Sequence, residues 1–110
     1  MVDPLRRVLI RRPVLEGDFA AADWRAPDPD RLLAEHEAFG ELLADLGCEV
    51  VVAEPLAGLV DAIYVCDPVW VCGQGAIVLQ SAKPQRVGEG EGMVPDLEAA
   101  GVPIAGHLTG

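Results

Sequence analysis

Apolar residues along this chain switch between short runs and helical spacing, and each switch predicts an element. Val8-Leu9-Ile10, flanked by arginines and stopped at Pro13, predicts a short strand. Val14 to Pro27 has no regular period and carries two aromatics, Phe19 and Trp24, so it reads as a loop. Loops of this length in compact domains often act as lids or binding loops, although both aromatics could equally pack down on the helix that follows. Asp28-Pro29 supplies an N-cap and a first-turn proline. Leu32, Leu33, Phe39, Leu42, Leu43 and Leu46 then fall at helical spacing, with Gly47 as the C′ stop. His36 sits at the edge of that stripe and is expected to pack rather than to catalyse. Glu49 to Ala53 predicts the next strand.

Residues 61 to 72, Asp-Ala-Ile-Tyr-Val-Cys-Asp-Pro-Val-Trp-Val-Cys, are dense in β-branched and aromatic side chains, which predicts a buried strand. If that strand is regular, Asp61, Ile63, Val65 and Asp67 share one face, and Tyr64, Cys66 and Trp70 the other. A carboxylate in such a run needs a partner, because burying it alone costs several kcal/mol. Asp67 can meet that need by capping a turn into water or by binding a cationic ligand. Gly73-Gln74-Gly75 then reads as a tight turn and Ala76 to Leu79 as a returning strand, giving a hairpin over 63–79. Gly88-Glu89-Gly90-Glu91-Gly92 is glycine-rich, but its glutamates argue against a phosphate cradle, and its glycines weaken helix by about 1 kcal/mol each. A short helix over Pro95 to Ala100, stopped at Gly101, and a last strand from Val102 to Leu108 complete the pattern.

Charge changes this picture. The 110 residues carry a formal net charge of −10, all of it from residues 32–110, where only Lys83 and Arg86 oppose twelve acids. An anionic surface repels phosphate backbones and anionic lipid, so nucleic-acid and membrane partners are not expected. Three cysteines, Cys48, Cys66 and Cys72, form neither a CxxC pair nor a disulfide framework, and Cys48 and Cys72 read as small buried apolar residues. No metal spacing, cofactor motif, signal peptide or membrane span is evident, and a cytoplasmic location is the default. The length suits a single domain, 1–110.

Asp61, Tyr64, Val65 and Asp67, followed by Pro68, resemble the first motif of the guanidino-group-modifying enzymes. That superfamily contains dimethylarginine dimethylaminohydrolase, arginine deiminase and the amidinotransferases. Ala76-Ile77-Val78-Leu79 and Arg86 resemble its second strand and the arginine after it; His36-Glu37-Ala38-Phe39 and Leu46 to Val50 resemble its first helix and following strand. The resemblance implies an α/β (α+β) fold, a partial pentein-type β/α-propeller with about two of five ββαβ modules. The first module would span 1–57 (strand, loop, helix, strand) and the second 58–110 (hairpin, helix, strand). It further implies that Asp67 binds a guanidinium and Asp61 lies near an α-ammonium. Tyr64 would wall the pocket, and Arg86 would contact an α-carboxylate. Cys66 occupies a position that varies with substrate in the family. The family's catalytic Cys and His lie in later modules. The chain is therefore expected to be the N-terminal, substrate-orienting part of a guanidino C–N hydrolase, inactive alone. It would take a small, arginine-like cationic ligand and either form homo-oligomers or join a C-terminal partner chain. The alternative is a non-catalytic half-propeller that binds cations or self-associates.

Overall fold

The computed structural model describes residues 6–108. Strand β1 (Arg7–Arg11) runs parallel to β2 (Glu49–Ala53), with Leu9 opposite Val51, and helix α1 (Pro29–Asp45) connects them. The predicted caps of α1 are present. The Asp28 carboxylate accepts from the backbone N–H groups of Asp30 and Arg31, at 3.0 and 3.3 Å. Gly47 takes φ 97° just past the helix end, a left-handed conformation that favours glycine.

The second sheet has the order β3-β4-β5. Strands β3 (Val69–Cys72) and β4 (Gly75–Leu79) form an antiparallel hairpin, and β5 (Ile104–Leu108) runs parallel to β4 after helix α2 (Glu89–Ala99). Among the described residues no ladder joins the two sheets. Met93 and Leu97 stand four residues apart on α2, on one face, and pack with Val69 and Ala76. Leu9, Val65, Val102 and Ile104 close around this cluster. Full burial of a side chain such as Val69, Met93 or Leu97 contributes about 1.5–3 kcal/mol, and that of Ala76 less.

Three expectations need correction. Residues 61–72 are not one strand: Val60–Ile63 is a turn of 3-10 helix, residues 64–68 are irregular, and only Val69–Cys72 pairs in the sheet. The hairpin therefore spans 69–79 rather than 63–79, and strand parity does not separate Tyr64 from Asp61 and Asp67. Second, α2 begins at Glu89, inside the glycine-rich run, and Pro95 lies in its interior. The glycines are there for close approach. A Cβ on Gly90 would lie 2.5 Å from the Leu79 carbonyl oxygen, and one on Gly92 2.5 Å from Leu56 Cδ1. Third, Cys72 is exposed rather than buried, while Cys48 is half-buried.

His36 is buried, as expected of a packing residue. Burial lowers its pKa below the ordinary 6.5, an effect only partly offset by its hydrogen bond to the Arg11 backbone. The folded chain thus favours neutral imidazole, and the unfolded chain binds a proton first as pH falls. The resulting stability is fully present above about pH 6.5 and declines as pH drops through the folded value. The melting temperature should fall between pH 7 and 5.5, and that slope should flatten in His36→Gln. A wild-type profile flat over this interval would contradict the assignment.

Candidate functional site

Three connections meet at one open cleft of about 670 Å³. The loop between β1 and α1 contributes Ala22, Asp23, Trp24 and Arg25. The segment leading into β3 contributes Asp61, Tyr64 and Asp67, and the connection after β4 contributes Lys83, Gln85 and Arg86. All four residues singled out in the sequence, Asp61, Tyr64, Asp67 and Arg86, therefore share one lining.

Asp61 is the second residue of the 3-10 turn and is buried, with its Oδ1 accepting a 2.8 Å hydrogen bond from Trp24 Nε1. The indole ring lies 6.1 Å from the Tyr64 ring and 5.5 Å from Phe19. Trp24 thus belongs to the cleft. Tyr64 is half exposed, its ring open to a ligand.

Arg86 ends the 3-10 turn Pro84–Arg86 and is held from several sides. Its Nε and Nη2 donate to the two oxygens of Glu89 at 2.8 and 2.6 Å, a bidentate pair. Nη1 donates to Asp67 Oδ2 at 2.8 Å, and Nη2 also reaches the carbonyls of Asp61 and Tyr64, each at 3.4 Å. The Glu89 carboxylate, and then Asp67, hold the Arg86 pKa above its usual value. The Arg86 hydrogen bond in turn holds the Asp67 carboxyl below the usual carboxylate range. The two acids differ in setting, since the Glu89 side chain is 2% exposed and that of Asp67 is 56% exposed. Among the described residues, Asp67 Oδ1 has only the Cys66 thiol as a donor, at 3.6 Å, and so keeps acceptor capacity toward solvent. A second cavity of about 410 Å³ has Asp67 and Arg86 in its lining too, together with Glu89, Val78, Leu79 and His107.

The sequence did not point to Glu89, although the Arg86/Glu89 spacing of three residues is a known pairing distance. Arg11 was missed as well. It ends β1 with 1% exposure and reaches across to α2, where Nη2 meets Asp96 Oδ2 at 2.7 Å and Met93 Sδ at 3.3 Å. Its Nη1 donates to the Glu54 carbonyl at 2.6 Å. Among the described residues no helix is long and apolar enough to cross a membrane, and no group of three His, Cys, Asp or Glu converges as a metal site.

No protein-family model matches this sequence, and no curated protein is significantly similar to it. Solved structures do match. A dimethylarginine dimethylaminohydrolase, crystallised as an adduct with 4-chloro-2-hydroxymethylpyridine, superposes with a TM-score of 0.76 over 96% of this chain at 21% identity. The Pseudomonas aeruginosa enzyme, as a mutant complexed with citrulline, gives a TM-score of 0.75 over 96% at 20% identity. A further dimethylarginine dimethylaminohydrolase, an adduct with S-methyl-L-thiocitrulline, gives 0.75 over 94% at 20% identity. In each case the chain spans 41% of the matched protein. At this identity the likeness shows a shared fold.

Proposed function

We propose that this chain forms the cation-orienting part of a site for a guanidino compound, in a dimethylarginine dimethylaminohydrolase-like arrangement. The observation that carries the reading is the convergence of Asp61, Tyr64, Asp67 and Arg86 on one cleft. Motif resemblance points to these positions, and they come from two separate connections, the segment leading into β3 and the one after β4. A planar guanidinium would donate to the open edge of Asp67 through charge-assisted hydrogen bonds. The faces of Tyr64 and Trp24 would flank the cation, an interaction worth about 0.5–1 kcal/mol at an exposed site. The cleft presents carboxylates and aromatic faces that bind and orient. In this reading the thiolate that attacks the guanidinium carbon and the base that activates water come from outside these 110 residues, so the chain alone binds without turnover. The partial-propeller organisation into two modules, 1–57 and 58–110, belongs to the same proposal.

An NMR titration with L-arginine, following the Tyr64 ring and the Trp24 indole, tests the site. Asp67→Asn should weaken binding about five- to tenfold, the cost of one partly exposed charged hydrogen bond. Equal affinity in the wild type and the variant would return Asp67 to a purely structural role. A second reading, a self-associating module, draws on Trp70 and Val71, which are 65% and 56% exposed on β3, an edge strand of its sheet.

A further inference from the structure

We propose that the chain pairs with a second copy of itself through the free edge of β3, in antiparallel register with Trp70 on the two-fold axis. The inference deepens the self-associating reading, rests on it, and is independent of the cation site.

Strand β3 has β4 on one side and no strand on the other among the described residues. The Leu79 N–H donates to the Pro68 carbonyl at 2.9 Å, which makes Pro68 and Leu79 a hydrogen-bonded pair of the ladder. Such pairs alternate along an antiparallel ladder, so Trp70–Ile77 and Cys72–Gly75 are the next ones. The backbone N–H and C=O groups of Val69 and Val71 therefore face away from β4. Edges of this kind are ordinarily blunted by lysine, an inward charge or a bulge. Strand β3, Val-Trp-Val-Cys, has no charged residue, and its pairing with β4 is regular.

Charge decides what meets this edge. Residues 68–82 contain no charged side chain, in a chain of net charge −10. The hairpin is thus a surface on which two copies meet without bringing acids together. The other exposed apolar stripe, Phe39, Leu42 and Leu46 on α1, is interleaved with Glu37, Glu41 and Asp45. A second copy docked there would set carboxylates against carboxylates. Two-fold pairing also matches the β3 edge to itself. With the axis at Trp70, Val69 lies opposite the partner's Val71, and every outward group of one strand meets its complement on the other. The two indoles then face each other at a non-hydrogen-bonded position, where cross-strand side chains come closest. Each covers the other's exposed ring.

Sedimentation equilibrium of the 110-residue chain between about 10 and 500 μM should show a reversible monomer–dimer equilibrium. Trp70→Lys should weaken it about tenfold or more, and Leu42→Glu should leave it unchanged, with circular dichroism confirming that both variants fold. In a Cys66→Ser/Cys72→Ser background, Trp70→Cys should form an interchain disulfide under mild oxidation and Val71→Cys far less, because only residue 70 faces its own copy. Wild-type association in Trp70→Lys, or its loss in Leu42→Glu alone, leaves self-association standing and overturns the β3 edge. Preferential cross-linking through Val71→Cys overturns the register. A wild-type chain that stays monomeric throughout overturns this inference together with the self-associating reading, and leaves the edge to a strand of another polypeptide.

Discussion

Asp96→Ala is expected to destabilise the chain by about 3 kcal/mol, and more than Arg11→Met does, although both variants break the same ion pair. The asymmetry follows from burial. The Arg11 side chain is 1% exposed and cannot reach water, whereas that of Asp96 is 28% exposed. Removing the acid strands a guanidinium in the interior, a loss of the kind that costs about 3–5 kcal/mol. Removing the arginine leaves a carboxylate that can hydrate, and it also removes Arg11 Nε, which has no hydrogen-bond partner among the described residues. An unsatisfied buried donor costs about 1–3 kcal/mol, so Arg11→Met relieves one penalty while creating another. The double variant Arg11→Met/Asp96→Leu should recover most of the Asp96→Ala loss. Urea denaturation of the three variants measures this. An Arg11→Met cost larger than that of Asp96→Ala would contradict the buried-charge account.

Glu89→Gln should cost about 3 kcal/mol, while Asp67→Asn costs less than about 1 kcal/mol, although Arg86 bridges both acids. Glu89 is 2% exposed and gives Arg86 a bidentate partner in the interior, so losing its charge leaves the guanidinium short of compensation. Asp67 is 56% exposed, and an ion pair that open contributes roughly 0.2–1 kcal/mol. A domain of this size has total stability on the order of 5–15 kcal/mol, so the first substitution removes a large share of it. Denaturant midpoints compared under one condition decide the matter; equal shifts for the two variants would refute the ranking. The consequence for function is a division of labour, in which Glu89 fixes Arg86 and leaves Asp67 one open oxygen.

Where local signals were strong, the sequence was legible. Helix α1 begins at its Asp28-Pro29 cap and stops at Gly47, and β2 falls on Glu49–Ala53 as read. Residues 61–72 misled because a short apolar run looks the same whether it forms a strand or a turn followed by a strand. The fact that decides it, Trp24 donating to Asp61, lies 37 residues away in sequence. Glycine alternation at 88–92 signalled a weak helix, yet these glycines let α2 sit against the end of β4 and against Leu56. Arg11 looked like its neighbour Arg12, and only the crossing to Asp96 distinguishes them. Asp61, Tyr64, Asp67 and Arg86 line one cleft, whereas side-chain parity on a strand would have separated Tyr64 from the two aspartates.

The fastening of Trp24 to Asp61 has a thermodynamic corollary. Loop-closure entropy changes by only about 0.6 kcal/mol per doubling of length, so one hydrogen bond suffices to divide the long β1–α1 connection into two short ones. A carboxylate offers about four lone-pair sites, and the indole occupies one of them. Asp61 can therefore tether the loop and still accept a further donor, so the tether and the remaining acceptor sites of this acid are not exclusive of one another.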